Sequence, residues 1–222
     1  MNSAFIVAFT LAALFSTTAT KAEKLSGIPS IVDGDTIDIE GTRIRLHGID
    51  TPEPAQRCNK AGAATWKCGD AATDRLTELM SGPVTCSGND YDDTNRLIAI
   101  CRNADGTDLN QLMVSEGYAW AFRRYSEDYV VQEEQAKSQK IGIWQSDTET
   151  PWDFRASRWV SAMNEAPDKK CPIKGNISNN GKIYHMPWQR DYSKTGITPD
   201  RGERWFCDEQ EAIAAGWRAA MR

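Results

Sequence analysis

The chain has few of the residues that bind zinc. It contains only two histidines, His47 and His185, and none of its six cysteines forms a Cys-x-x-Cys pair. Structural zinc sites are built from such pairs and from histidines, so the sequence argues against a zinc site. An even number of cysteines favours a disulfide framework instead, although sequence alone leaves its connectivity open. The order along the chain favours three bridges: Cys58–Cys68, Cys86–Cys101 and Cys171–Cys207.

The chain also lacks a hydrophobic run of membrane-spanning length. The apolar run from Ala4 to Phe15 falls short of the roughly 20 residues that cross a bilayer. Small residues follow it, and Thr20 and Ala22 occupy the two positions that matter for signal-peptide cleavage. We predict a signal peptide over residues 1–22 and export to the periplasm or the medium, with no stable membrane insertion afterwards. No Lys or Arg precedes the run, so an N-terminal anchor is the alternative.

Positive charge is scarce in most of the chain. Residues 23–155 carry 14 basic and 23 acidic side chains, a net charge of −9, whereas residues 156–222 carry 11 basic and 8 acidic ones, a net charge of +3. A domain with nine excess negative charges does not attract a polyanion through its overall field. If it acts on a polyanion, it needs a bound cation and local arginines.

The pattern of apolar residues predicts a small barrel. Ile37, Ile39, Ile44, Leu46 and Ile49 alternate with polar residues as in strands, with turns at the glycines between them. Further strands are expected in PVTCSGNDYDDTNRLIAICR and YAWAF, and helices in GDAATDRLTELMSG, DLNQLMVSEGY and EDYVVQEEQAKSQKIGIW. This order predicts an α+β domain over residues 23–147, a five-stranded OB-fold barrel with helices packed against it.

The rest of the chain has a different composition. Residues 148–170 are rich in acids, prolines and lysines and are expected to form a linker with one helical turn. Residues 171–222 contain glycines, Asn-Gly and aromatic residues, which predict a small β element followed by a helix near Asp208–Ala215. The Cys171–Cys207 bridge would stabilise this small C-terminal module, which is too short for a large core.

The segment VDGDTIDIEGTRIRLHGIDTPE, residues 32–53, concentrates acids around two arginines. Asp35 and Asp50 are expected on neighbouring strands, where two carboxylates repel unless a proton or a cation lies between them. With no His or Cys nearby, hard oxygen ligands indicate Ca²⁺ or Mg²⁺, and the Thr51 carbonyl would complete the shell. Arg45 adds a fixed positive charge. The alternative is a turn-rich acidic surface, since Asp and Gly are common in turns.

Several motifs together resemble the staphylococcal nuclease family. They are DGDT, RLHGIDTPE, DDTNRLIAI, DLNQLMVSEGYAWAF and EEQAKSQKIGIW, in that order between Ser26 and Trp144. The resemblance implies a Ca²⁺-dependent phosphodiesterase on an OB-fold barrel, which cuts DNA and RNA with little sequence preference and leaves 3′-phosphate ends. Endonucleolytic cleavage and a monomeric protein are expected.

The resemblance also implies roles for individual residues. Asp35, Asp50 and the Thr51 carbonyl match the metal ligands, and Glu53 matches the acid that activates the attacking water. Arg45 and Arg96 match the two arginines that bind the phosphate and stabilise its transition state. Arginine suits this role because it is always charged and binds phosphate through two parallel hydrogen bonds.

The substrate side departs from the family pattern. Asp93 and Thr94 stand where the family often has a Lys-Tyr pair, and a substrate-side tyrosine is replaced near Arg123, whereas Tyr125 is retained. Arg123 and Tyr125 are therefore the candidate substrate-binding residues. The loop after Glu53 carries an insert, which we expect a Cys58–Cys68 bridge to hold in place.

The tail resembles the sunset module found on exported bacterial nucleases, over about Cys171 to Arg218. Its aromatic residues could stack bases or bind envelope polymers; the alternative is that they form the core of a small domain. They are Tyr184, Trp188, Tyr192 and Trp205. Two other functions compete with a nuclease: a non-catalytic OB-fold module that binds nucleic acid, and an envelope-binding protein that uses the barrel as a scaffold. The catalytic residues argue for the nuclease, because a binding module would not need them.

Overall fold

A computed structural model of the protein describes residues 22–220, and the predicted signal peptide lies outside the described residues but for its last position. The N-terminal domain contains, in chain order, strands β1 (Glu23–Gly27), β2 (Ser30–Ile31), β3 (Thr36–Ile39), β4 (Thr42–Leu46), β5 (Ile49–Asp50), β6 (Cys58–Asn59), β7 (Thr65–Trp66), β8 (Val84–Tyr91), β9 (Leu97–Arg102) and β10 (Trp120–Ala121). Its helices are α1 (Cys68–Leu79), α2 (Leu109–Ser115) and α3 (Val130–Ser138), and a 3₁₀ turn follows at Gly142–Gln145.

Six of these strands form one curled mixed sheet in the order β1-β8-β9-β4-β3-β2. Neighbouring strands are antiparallel except β4 and β9, which are parallel. The strands β5 and β10 pair beside it. The predicted α+β class is confirmed. The prediction of five strands missed β1, whose residues are mostly exposed and show little apolar alternation.

The core of this domain lies between the sheet and helices α1 and α2. The alternating isoleucines that predicted β3 and β4 all point into it and are fully buried. Helix α1 contributes Leu76 and α2 contributes Met113. Asp108 caps α2 as its sequence position predicts, since its side chain accepts a hydrogen bond from the Gln111 amide at 3.0 Å.

The predicted linker is instead mostly helix α4 (Pro151–Glu165), so the expectation of a single helical turn is wrong. Thr150 caps the helix by accepting from the Asp153 amide, and Pro151 occupies the first helical position. A Thr-Pro-x-Asp start of this kind is a helix signal that the high content of acids and lysines obscured.

The C-terminal module has its own sheet and core. Strands β11 (Ile173–Ser178), β12 (Gly181–His185), β13 (Arg204–Phe206) and β14 (Arg218–Ala219) pair in the order β13-β11-β12-β14, and helix α5 (Glu209–Ala214) precedes β14. Short 3₁₀ turns lie at Tyr192–Lys194 and Pro199–Arg201. Trp159 of α4 packs against the core of the module. The helix therefore contacts both parts of the chain.

All three predicted disulfides are present. Cys58–Cys68 joins β6 to the first residue of α1, and Cys86–Cys101 joins the neighbouring strands β8 and β9. Cys171–Cys207 joins the segment just before β11 to the residue directly after its partner strand β13. In the described part of the chain, none of the helices has both the length and the apolar character needed to cross a membrane.

Candidate active site

A cleft of about 1220 Å³ lies between the curled sheet and the C-terminal module. The module is held across it by an ion pair from Arg190 to Asp70 of α1 and by a hydrogen bond of 3.5 Å from Gln210 to the Asp93 carbonyl. The basic side chains that line the cleft are His47 and seven arginines: Arg43, Arg45, Arg96, Arg124, Arg155, Arg190 and Arg218. Guanidinium groups match the geometry of phosphate better than ammonium groups do, so this lining suits a phosphate-containing ligand.

Asp35 lies buried just before β3 and is held by hydrogen bonds to both its oxygens. Its Oδ2 accepts from the amide and the hydroxyl of Thr51 at 2.9 and 3.0 Å, and its Oδ1 accepts from Arg45 and from the Thr36 hydroxyl. Gly34 makes this arrangement possible, because a Cβ there would lie 2.5 Å from the Thr51 hydroxyl oxygen. The glycine of the DGDT motif is thus explained by the close approach of Thr51.

Asp50 is the last residue of β5 and is fully buried. The pairing of β5 with β10 places Asp50 opposite Trp120 and fixes its backbone. Its Oδ1 accepts from Arg45 Nη2 at 2.8 Å and from Arg155 Nη1 at 3.1 Å, and its Oδ2 accepts from Arg155 Nη2 at 2.7 Å. A buried carboxylate is costly unless it is paired, and here two guanidinium groups share it.

Glu53 follows on the loop after β5, with a side chain that is only 13% exposed. Its Oε1 accepts from Arg155 Nη1 at 2.7 Å. Burial raises the pKa of Glu53 to about 7 against the opposing charge of Arg155, and the charges of Asp33 and Asp50 raise it further. A carboxyl group with such a pKa can accept a proton near neutral pH.

Arg45 links the two aspartates. It lies on β4 opposite Thr36 of β3, and its guanidinium reaches Asp35 through Nη1 and Asp50 through Nη2. The structure therefore brings Asp35, Arg45, Asp50 and Glu53 into one connected cluster, with Thr51 bonded to Asp35.

Arg96 lines the same cleft but is bonded to another acid. It stands directly before β9, and its Nε donates to Asp92 Oδ2 at 2.6 Å. The other Asp92 oxygen accepts from the amides of Thr94 and Arg96 and fixes the turn between β8 and β9. Burial pushes the pKa of Asp92 upward, but the charge and hydrogen bonds of Arg96 outweigh burial and hold the pKa below its ordinary value.

The two candidate substrate-binding residues have different positions. Tyr125 lines the cleft, is 69% exposed and packs edge-on against Phe122. Arg123 is not among the lining residues, because its guanidinium is bound to Glu133 and Glu134 of α3 at 2.6 and 2.5 Å. The structure does not place Arg123 at the cleft, where its neighbour Arg124 lies instead, and the substrate-binding role of Arg123 and Tyr125 stays a prediction.

Arg155 on α4 is the residue that sequence reasoning missed. It bonds to Asp50 and Glu53, which lie 105 and 102 residues earlier in the chain. Three residues before it, Trp152 stacks on Phe122 with the ring centroids 5.7 Å apart. The helix-start signal at Thr150 could have predicted the helix, but no local pattern indicates which side chain reaches the cluster.

The residues of the cluster fit a hard divalent cation in their chemistry. Two carboxylates and the Thr51 carbonyl offer the oxygen ligands that Ca²⁺ and Mg²⁺ prefer. Within residues 22–220, however, no three His, Cys, Asp or Glu side chains converge as a metal centre. The carboxylate oxygens of Asp35 and Asp50 are bonded to arginine and threonine donors. A cation at this position would have to replace some of these donors.

Comparison with protein families gives a match to one model, described as staphylococcal nuclease homologue, over residues 43–146. The match contains Arg45, Asp50, Glu53 and Arg96 and ends before α4 begins.

Several curated proteins are similar to the chain. The chain is 34% identical over 154 residues to succinoglycan biosynthesis protein ExoI of Rhizobium meliloti (strain 1021). The aligned region covers 67% of this chain and 80% of the relative. It is 34% identical over 133 residues to an uncharacterized endonuclease of Escherichia coli O157:H7, covering 56% of this chain and 80% of the relative. It is 30% identical over 143 residues to a micrococcal nuclease of Shigella flexneri, covering 56% and 76%.

Proposed function

Since the chain belongs to the staphylococcal nuclease family and is a nuclease, we propose that it hydrolyses phosphodiester bonds in both DNA and RNA with the help of Ca²⁺, cutting within the strand and leaving 3′-phosphate ends. The observation that carries this proposal is the connected cluster of Asp35, Arg45, Asp50 and Glu53 at the floor of an arginine-lined cleft.

Each residue of the cluster has a role that its chemistry supports. Asp35, Asp50 and the Thr51 carbonyl would hold the cation, which when bound supplies positive charge to the phosphate. Glu53 takes a proton from the attacking water as the new bond to phosphorus forms. Arg45 and Arg96 bind the phosphate oxygens and stabilise the negative charge that develops on them. The bond from phosphorus to the 5′ oxygen then breaks, that oxygen takes a proton from solvent water and leaves as a hydroxyl group, and Glu53 returns its proton to the solvent.

The C-terminal module would contribute to substrate binding through the wall that it adds to the cleft. Trp188, Arg190 and Arg218 line this wall and could contact bases and phosphates. The other aromatic residues named from the sequence pack within the module. Tyr184 borders the cleft but is buried in the module core, Tyr192 is buried, and Trp205 packs near the ammonium group of Lys174.

Export of the protein is part of the proposal. Three disulfides and the absence of free cysteines among the described residues are typical of proteins that fold in an oxidising compartment, which fits the signal peptide expected from the sequence. We expect the mature protein in the periplasm or the medium, as a monomer. The assignment of residues 23–147, 148–170 and 171–222 to a nuclease domain, a connecting segment and a module belongs to the same proposal.

Digestion of plasmid DNA and of RNA tests the proposal, with Ca²⁺, with Mg²⁺ and with a chelator. We expect cleavage with Ca²⁺ by the native protein, and a loss of roughly 100-fold or more in Glu53→Gln, as for the removal of one preorganised catalytic group. Cleavage that persists in chelator would refute the role of the cation. A folded protein that shifts nucleic acid on a gel but cleaves none with any metal would favour the alternative, a non-catalytic binding module.

A further inference from the structure

Arg155 is bonded to Asp50, a ligand in the proposed cation site, and to Glu53, the proposed base. Its guanidinium bonds to both oxygens of Asp50 and to Glu53, at 2.7 to 3.1 Å. The proposed mechanism gives this guanidinium no role. It also comes from α4, which lies beyond the region that matches the family model.

The hydrogen bonds at the two aspartates leave little room for another ligand. A carboxylate offers about four lone-pair positions. Asp35 already accepts bonds from the Thr36 hydroxyl, from Arg45, and from the amide and hydroxyl of Thr51. Asp50 accepts one bond from Arg45 and two from Arg155. All four positions at Asp35 and three of the four at Asp50 are therefore taken. A cation that takes an oxygen from each aspartate must displace a donor at Asp35, and at Asp50 it would stand beside the like charge of Arg155 unless that guanidinium leaves.

Packing contacts hold the backbone of α4 in place around Arg155. Thr150 and Pro151 fix the start of α4, and Phe154, next to Arg155, is buried. Trp152 stacks on Phe122 of the N-terminal domain. The backbone of α4 is thus anchored, and only the Arg155 side chain has to move to release the two carboxylates.

We propose that Arg155 is a resident counter-ion of the cation site: it holds Asp50 and Glu53 while no cation is present, and a divalent cation binds only as the guanidinium leaves Asp50. The inference rests on the proposed function for the position of the cation. It makes Arg155 a positioning residue that sets the affinity for the cation.

The expected change in Ca²⁺ affinity follows from competition between the Arg155 guanidinium and the cation for Asp50. The observed dissociation constant equals the intrinsic one divided by the fraction of protein in which the site is open. A hydrogen bond to a charged group contributes enough net free energy to change an equilibrium about tenfold to hundredfold. Removing Arg155 should therefore tighten Ca²⁺ binding by about that factor.

Calorimetric titration with Ca²⁺ tests the inference without any substrate. The variants are Arg155→Gln, Arg155→Lys and Arg158→Gln. Arg158 is the matched control, because it lies one turn further along α4, is exposed and packs on the Phe154 ring. We expect about tenfold to hundredfold tighter binding for Arg155→Gln, an intermediate value for Arg155→Lys, which keeps the charge but loses the paired bonds, and native affinity for Arg158→Gln.

Thermal unfolding supplies an independent readout. In chelator, Arg155→Gln should unfold at a lower temperature than the native protein, because buried Asp50 loses a partner. Saturating Ca²⁺ should raise the unfolding temperature of this variant more than that of the native protein. If Arg155→Gln does not fold in chelator, Arg155→Lys still gives the order of the affinities.

Equal or weaker Ca²⁺ binding by Arg155→Gln would overturn the inference, since it would mean that the guanidinium and the cation bind together. An equal gain in Ca²⁺ affinity in Arg158→Gln would also overturn it, because the gain would then come from removing any positive charge on α4. Ca²⁺-dependent cleavage by the native protein together with either result would leave the proposed function standing. Cleavage in chelator would refute the role of the cation in the proposed function, and the inference with it.

Discussion

Breaking the Cys58–Cys68 disulfide should lower the turnover of nucleic acid more than it lowers Ca²⁺ affinity. Cys68 begins α1, and a Cβ on the next residue, Gly69, would overlap the Glu53 carbonyl. Gln56 lies between Glu53 and Cys58. Its side-chain oxygen Oε1 accepts a hydrogen bond from the Glu53 backbone N–H at 3.2 Å, and its own backbone N–H donates to the Glu53 carbonyl at 2.7 Å. The bridge thus closes the loop that holds the proposed base, whereas Asp35 and Asp50 lie on or beside strands and do not depend on it.

The separations along the chain give the size of the effect on stability. Cys58 and Cys68 are 10 residues apart, and the chain-entropy relation then gives roughly 2.7 kcal/mol of stabilisation. Cys171 and Cys207 are 36 residues apart, which gives about 3.8 kcal/mol by the same relation. Stability and turnover should therefore rank the two bridges in opposite order. A misplacement of about 1 Å at a catalytic group can reduce the rate by about 100-fold, so a loss of turnover of tenfold or more is expected for the first bridge.

The assay compares Cys58→Ala/Cys68→Ala with Cys171→Ala/Cys207→Ala, the matched control. Urea unfolding checks that each variant is folded, steady-state digestion gives kcat, and calorimetry gives the affinity for Ca²⁺. Native kcat in a folded Cys58→Ala/Cys68→Ala variant would refute the reasoning. An equal loss of kcat in both variants would also refute it, since the loss would then follow general destabilisation.

Two further predictions concern Gly69, which packs against the Glu53 backbone, and Asp92, which pairs with Arg96. Gly69→Ala should reduce stability by about 1–3 kcal/mol and impair cleavage, because the added methyl group collides with the Glu53 carbonyl, whereas Gly82→Ala meets no atom within 4 Å and should be neutral by urea unfolding and by digestion. Because the pKa of Asp92 lies below its ordinary value of 3.8, the stability that Asp92 contributes is present above that value and is lost as the pH falls through the lower, folded-state pKa. The difference in unfolding free energy between the native protein and Asp92→Asn should therefore shrink from pH 5 toward pH 2, and a constant difference would contradict the role of the ion pair with Arg96.

The parts of the fold with strong local signals could be predicted from the sequence. The alternation of isoleucines in β3 and β4 and the cap at Asp108 are local patterns, and each predicted its element correctly. The disulfide pairs followed from their order along the chain. In the DGDT motif the sequence indicated a turn, and the structure adds the steric reason for its glycine, the approach of Thr51 to Gly34.

What the sequence could not predict depends on contacts between distant segments. Strand β1 has mostly exposed residues, and it is a strand because it pairs with β8. Arg123 and Arg124 are adjacent and chemically identical, and only the position of α3 decides that the first binds Glu133 and the second faces the cleft. Arg155 lies in a segment whose composition suggested a linker, and the two acids that it binds are about a hundred residues away.

The charge of the cleft resolves the conflict between an acidic domain and an anionic substrate. Without a cation, the arginines at the floor of the cleft are paired: Arg45 and Arg155 bind Asp35, Asp50 and Glu53, and Arg96 binds Asp92. At the floor little positive charge is then free to attract phosphate, whereas Arg124 and Arg218 on the walls of the cleft form none of the ion pairs seen among the described residues. If a cation takes over Asp50, it adds two positive charges and also releases Arg155 into the cleft. Cation binding would thus add the two charges of the ion and also make the Arg155 guanidinium available to bond phosphate, so nucleic-acid binding should be much weaker in chelator than in Ca²⁺ at low salt, where such fields act furthest.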